Sequence, residues 1–294
     1  MPPTPRTAKV PKQASSRPLT PLLLLSFVLP LLALAFPYLS STPILKNEYQ
    51  LHHLTSDQHI IGEPKALILT AHPDDEVMFF SPTILSLVQD GWDVRGLCLS
   101  TGNSSGSGDI RSEELYGSYE ALGVNRDEVK VLNDPGLQDS MTAQWDTRLI
   151  ADIVEDYIKE NPIDLIITFD EIGITQHPNH IAISKSLSLL DKPPKIVHLK
   201  SPATLPKFTG PFYPIYLQMQ FVFSHLINYE DNRKTPNENG DQKLSKFVMI
   251  SSPVQWYQSI QAMMYHQSQL VWFRWLYLIA SRLMWVNELI VVEE

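Results

Sequence analysis

From residue 65 onward the chain alternates short apolar runs with stretches of helical periodicity. Ala66 to Thr70 ("ALILT") is a run of strand length, and Asp93 to Ser100, Val129 to Leu132, Asp164 to Phe169 and Lys195 to Leu199 read the same way. Between them the spacing predicts a helix over Glu76 to Asp90 stopped by Gly91, and another over Ser112 to Leu122 stopped by Gly123. A third carries Trp145, Leu149, Ile150, Ile153, Val154, Tyr157 and Ile158 on one face until Asn161-Pro162 ends it; a fourth spans Ile181 to Leu190. Buried strands alternating with helices predict an α/β fold: a Rossmann-like, mostly parallel sheet with helices on both faces. Ligands in such sheets bind beyond the carboxyl ends of the strands. Past residue 200 the pattern predicts a β-like segment near Tyr213 to Phe223, an exposed polar loop over 229–246, a strand over Phe247 to Ile250, and a helix over Leu270 to Trp285 that is apolar nearly all round.

The first 64 residues do not share this pattern. Residues 1–18 carry Arg6, Lys9, Lys12 and Arg17 with no acid, the composition of a disordered basic tail. Residues 19–39 ("LTPLLLLSFVLPLLALAFPYL") contain no charge and are long enough to cross the roughly 30 Å hydrocarbon core as one helix. An N-terminal membrane anchor is therefore expected, with 40–64 as linker and 65–294 as one folded domain. The alternative is a cleaved signal peptide with Ala33-Leu34-Ala35 at its site, but the apolar stretch exceeds the 7–15 residues usual for a signal core. Positive-inside counting keeps the basic tail in the cytosol and sends the rest across the membrane.

Composition narrows the class. The chain has 294 residues, with 32 Asp and Glu against 23 Lys and Arg, so a nucleic-acid-binding face is not expected. The single cysteine, Cys98, lies in an apolar run, which excludes an intrachain disulfide framework and a cysteine-based zinc finger.

Two loops carry candidate chemistry. "HPDDE", residues 72–76, crowds Asp74, Asp75 and Glu76 behind the most apolar strand, where like charges repel unless a cation offsets them. A second loop, behind the strand at 164–169, carries His177 and His180 in "HPNH". Imidazoles and carboxylates at such spacing reach a divalent ion, and three protein ligands plus a water is the arrangement of a hydrolytic zinc site. Glu76 also reads as a helix-start charge. The glycine-rich stretch after the second strand, Gly102-x3-Gly106-x-Gly108, is neither GxGxxG nor a P-loop, which argues against a dinucleotide-binding oxidoreductase. Arg111 reads either as a ligand for sugar or phosphate oxygens or as an ion pair with Glu114, and Asp170 as a residue that orients a histidine.

"AHPDDE" after a strand, together with "HPNH" on a later loop, resembles the LmbE/PIG-L family of zinc-dependent de-N-acetylases, over roughly Lys65 to Leu289. The resemblance implies that His72, Asp75 and His180 bind Zn2+, that Asp74 is the general base, and that His177 polarises or protonates in the transition state. Asn179 departs from the aspartate of "HPDH" in bacterial members. The stretch 263–289, with His266, Ser268-Gln269, Trp272-Phe273-Arg274 and Ser281-Arg282, is similar to the end of the N-acetylglucosaminyl-phosphatidylinositol de-N-acetylases of GPI-anchor synthesis. That implies a glycolipid substrate, a lipid bilayer as partner and the cytosolic face of the endoplasmic reticulum, against positive-inside counting. The 270–285 helix, with its tryptophans and arginines, suits a membrane interface, or else packs on the core. Two rival readings are the same chemistry on another N-acetylglucosamine conjugate and a catalytically silent membrane adaptor. Protein partners are not legible.

Overall fold

The structure, a computed structural model, describes residues 46–292 apart from 56, 57, 59, 61 and 221–245. The basic tail, the expected anchor at 19–39 and nearly all of the expected polar loop lie outside the described residues. Within the expected linker, a helix α1 (Asn47–Leu54) buries Leu51 and Leu54 in the core.

Strands β1 (Lys65–Thr70), β2 (Asp93–Cys98), β3 (Val129–Val131), β4 (Leu165–Phe169) and β5 (Lys195–Leu199) pair in parallel in the order β3-β2-β1-β4-β5. The near-continuous burial of the central β1 and β4 is what a sheet covered on both faces requires. Two further strands, β6 (Lys246–Ile250) at the edge and β7 (Val286–Val291) between it and β5, extend the sheet with antiparallel pairing, giving seven strands among the described residues. The fold is thus α/β with a mostly parallel, mixed sheet. The chain leaves β1 toward β2 on one side, and β4 lies on the other, so β1 and β4 flank the switch point where α/β sheets open a crevice.

Several expected elements shift, each for a local reason. The helix expected over 76–90 divides into α2 (Asp75–Phe79) and α3 (Ser81–Gln89). Pro82 has no N–H for the Met78 carbonyl, and the Tyr277 hydroxyl donates to that carbonyl instead at 2.7 Å. Helix α4 (Gly108–Ala121) starts four residues before the expected Ser112, and α5 (Thr147–Glu160) is capped by Asp146, whose side chain accepts from the Arg148 amide. Helix α6 (Pro178–Ser186) opens with Pro178 at its first position, where proline is favoured.

The β-like segment expected near Tyr213 is helical where it is described, 212–220 (α7); Pro211 and Pro214 fit a helical first turn, and the aromatic and β-branched content misled. Helix α8 (Pro253–Met263) has no counterpart in the expected pattern, although its Ser252–Gln255 capping box was readable. The long C-terminal helix is shorter than expected: α9 (Trp272–Ala280) gives way to a 3-10 turn and then to β7. Asn287 and Glu288 disguise that strand as polar, and both are satisfied inside: Asn287 accepts from Thr83 and donates to Phe79 O, and Glu288 pairs with Arg282 and Lys246, each at 2.6 Å.

Candidate metal centre

The two histidine loops leave the carboxyl ends of adjacent strands, β1 and β4. One ring nitrogen from each of His72, His177 and His180 lies within 4.8 Å of the others. His72, Asp75 and His180 are buried, and His177 is half-buried at the mouth. Asp75 Oδ2 accepts from the amides of Ala71 and His72, at 3.0 and 2.9 Å, which closes the turn after β1. Its other oxygen faces His180 Nε2 at 3.3 Å. Burial alone would raise the Asp75 pKa, but His180 and His72 outweigh it and hold the carboxyl well below the usual range.

The tautomers of two histidines follow from their second nitrogens. His180 Nδ1 lies 3.1 Å from Gly173 O and donates to it, and the ring stacks on Phe169 with centroids 3.9 Å apart. Burial would lower the His180 pKa, but Asp75 Oδ1, facing its buried Nε2, outweighs burial and raises it; in the neutral ring that nitrogen carries a lone pair with no other hydrogen-bond partner among the described residues. His177 is the reverse. Its Nδ1 accepts from the Asn179 amide at 3.3 Å, so the neutral ring bears its proton on Nε2. Burial and the neighbouring His72 and His180 push the His177 pKa down to about 4, so the ring is neutral at pH 7. A buried imidazole nitrogen, in its neutral form, beside a carboxylate oxygen is the donor set that a divalent cation fits, and His177 stands next to it as a hydrogen-bond donor.

Asp74 adopts a left-handed conformation, φ 108°, which for a non-glycine residue costs on the order of 1–3 kcal/mol. Three contacts hold it there. Its amide donates to Glu76 Oε2, Met78 N donates to its carbonyl, and Arg274 Nη2 donates to its Oδ2 at 2.6 Å. Burial pushes the Asp74 pKa up, with Arg274 opposing and Asp75 adding to the rise, which moves the carboxyl toward base strength.

Glu76 is more than a helix-start charge. It is fully buried and 2.6 Å from His266 Nε2, and it accepts from the Ser118 hydroxyl. Arg111 donates to Gln269 Oε1, which turns the Gln269 amide nitrogen to His266 Nδ1 at 3.1 Å. A chain of hydrogen bonds thus runs Arg111–Gln269–His266–Glu76 to the backbone of Asp74. Arg111 also donates to Gly102 O and Pro73 O; a Cβ on Gly102, φ +63°, would lie 2.4 Å from the guanidinium carbon. The alternative pairing of Arg111 with Glu114 does not form, because Glu114 accepts from the Ser268 amide and hydroxyl.

Asp170 does not touch a histidine. It accepts from Ser201 and from the amides of Ile172 and Gly173, and so shapes the turn whose Gly173 carbonyl orients His180. Asn179 is fully buried, 3.2 Å from His72 Nε2, and an amide can meet that nitrogen as donor or acceptor where a carboxylate could only accept. One residue escaped the sequence reading, and one was read for another role. Asp139 sits 3.3 Å from His72 Nε2 and 3.5 Å from Arg111; its only signal was an acid in the loop behind β3, at the same sheet edge. Arg274, expected among the interface arginines of the C-terminal helix, turns inward to Asp74, 200 residues away in sequence, and Arg282 likewise turns to Glu288.

Comparison with known proteins gives the family. Residues 67–188 match the PIG-L family model, described as GlcNAc-PI de-N-acetylase. The N-acetylglucosaminyl-phosphatidylinositol de-N-acetylase of Bos taurus is 33% identical over 228 residues, covering 78% of this chain and 83% of the relative. The enzyme of the same name from Saccharomyces cerevisiae is 29% identical, covering 87% and 90%. Among solved structures the A40926 pseudoaglycone deacetylase superposes with a TM-score of 0.51 at 12% identity, over 79% of this chain and 98% of that one, a likeness of fold. The chain belongs to the PIG-L family of de-N-acetylases.

Proposed function

We propose that the protein removes the acetyl group of N-acetylglucosaminyl-phosphatidylinositol, giving glucosaminyl-phosphatidylinositol and acetate, the second step of GPI-anchor synthesis. The observation that carries the chemistry is the pairing of the buried His180 Nε2 with Asp75 Oδ1 beside the base Asp74. The substrate reading rests on the relatives' names and on the extent of the match.

His72, Asp75 and His180 would hold the metal, read as Zn2+ from the His and carboxylate donor set. Such an ion supplies Lewis acidity toward the amide carbonyl and brings the pKa of water to about 7. The chain's own residues do the rest. Asp74 takes a proton from the attacking water as its oxygen bonds to the acetyl carbon. His177 donates its Nε2 proton as a hydrogen bond to the carbonyl oxygen as charge develops there. Cleavage of the C–N bond then releases acetate, and the proton held by Asp74 passes to the leaving amine. Arg111, anchored on Gly102 O and Pro73 O, lines the same loops, where we place sugar or phosphate oxygens of the substrate.

The remaining parts of the reading concern place. Residues 19–39 anchor the chain in the endoplasmic reticulum membrane, with the catalytic domain in the cytosol. No helix among the described residues is long and apolar enough to cross a membrane. The test is metal content and deacetylase activity of two variants: His72→Ala loses metal and activity, and Asp74→Asn keeps metal and loses turnover. Activity retained in both would refute the site.

A further inference from the structure

The outer face of α9 is apolar and uncovered. Trp272 is 75% exposed and Trp275 43%, and Leu276 and Ile279 are exposed beside them. A second apolar segment continues this face. Gly210, whose Cβ would lie 2.9 Å from Ile279 O, packs against the end of α9, and the exposed Phe208 and Phe212 stand on either side of it. Isolated exposed apolar side chains are ordinary, but a contiguous aromatic and aliphatic patch drawn from two segments marks a contact surface.

Charge distinguishes the occupant. The chain has 32 Asp and Glu, yet none falls in 192–229 or in 251–287, the stretches of sequence that contain 205–212 and α9. In an acidic protein, segments that contribute no carboxylate, with Lys207 among them, suit an anionic surface. Tryptophans on such a face suit the headgroup depth of a bilayer. The expected anchor, 19–39, would also hold the domain beside a membrane.

The inner face of α9 points at the chemistry. Arg274 donates to Asp74, and Tyr277 donates to Met78 O, so one short helix touches both the base and the exposed patch. On the other segment, Lys207 donates to Ile174 O, in the turn that precedes His177.

We infer that α9 and the 205–212 segment form a lipid-docking face that seats the mouth of the site on an anionic bilayer surface, with α9 as the element shared between docking and the base. This rests on the glycolipid reading above, since a substrate held in the bilayer is reached from such a face.

The experiment uses the full chain reconstituted in vesicles of brominated phosphatidylcholine with phosphatidylinositol. Trp92, Trp145 and Trp285 are buried, Trp256 is half-buried, and no tryptophan precedes Trp92, so bromine quenching reports on Trp272 and Trp275. Quenching is expected in the native protein and is expected to fall at least twofold in the Trp272→Phe/Trp275→Phe variant. No quenching, or the same quenching in the variant, overturns the inference. Quenching that appears only after deletion of 221–245 gives the face to that segment. Absence of quenching with cross-linking through Trp272→Cys between copies gives it to a second chain; either result also overturns it. In parallel, Trp272→Ser/Leu276→Ser is expected to lose at least tenfold in hydrolysis of substrate embedded in vesicles and less than twofold on the same substrate in detergent micelles. Equal losses in the two would refute docking. Failure of the native protein to hydrolyse the substrate even in micelles would refute the functional reading instead, leaving the quenching result to decide the face.

Discussion

Arg274→Gln isolates one contact at the centre of the site. The Arg274 side chain is 21% exposed and that of Asp74 8%, so the 2.6 Å pair is mostly shielded from water and is not a surface ion pair of negligible worth. A hydrogen bond to a charged group contributes about 1.5–3 kcal/mol. Arg274 is also the largest charge opposing the rise in the Asp74 pKa. Without it the carboxyl is freer to leave its strained left-handed position and is held less firmly in its ionised form. At 1.36 kcal/mol per tenfold, loss of that contact corresponds to roughly a 10- to 150-fold fall in kcat. Lysine keeps the charge but not the fork of donors, so Arg274→Lys should recover part of the loss. The assay is acetate release from detergent-solubilised substrate, with bound metal measured on the same samples. Metal should be unchanged, because Arg274 contacts neither histidine loop's ligands. A kcat within twofold of native at full metal content would refute the positioning role; loss of metal would show that Arg274 supports the whole turn rather than the base.

Two further outcomes follow from other parts of the molecule. Glu288 ties β7 to Lys246 and to Arg282; burial would raise its pKa, but those cations hold it below the ordinary value of 4.5. The folded state therefore binds fewer protons there than the unfolded state, so this stabilisation is present above about pH 4.5 and is lost as pH falls through the folded pKa. Glu288→Gln should destabilise by about 3–5 kcal/mol at pH 7, as expected for an uncompensated buried cation, and should show a smaller further loss than native between pH 5 and 3; parallel denaturation curves would count against the ion pair. Asn103, exposed in an Asn-Ser-Ser sequon at the edge of the site, reports topology: the cytosolic placement predicts no endoglycosidase-sensitive glycan, and a glycan at Asn103 would refute it.

The sequence by itself determined the parallel half of the sheet. The strands β1 and β4 are nearly continuous apolar runs and β2 and β5 are short and mostly apolar, and burial on both faces leaves little freedom in composition. It also brought His72, Asp74, Asp75, His177 and His180 to one sheet edge, because each loop sits directly behind such a strand. The comparisons uphold the family that those motifs suggested.

What only the tertiary structure decided are the contacts between residues distant in the chain. β7 hid behind Asn287 and Glu288, whose polarity makes sense only once Thr83, Phe79 O, Lys246 and Arg282 surround them. The division of α2 from α3 could be read from Pro82, but not that a hydroxyl from residue 277 would satisfy the freed carbonyl. The roles of His177 and His180 separate through their second nitrogens, one facing a local amide and the other the Gly173 carbonyl. Periodicity and motif report what a residue shares with its neighbours along the chain. The base Asp74, by contrast, is held by Arg274 and, through Glu76, by His266, and hydrogen bonds across some 190 to 200 residues leave no local pattern to read.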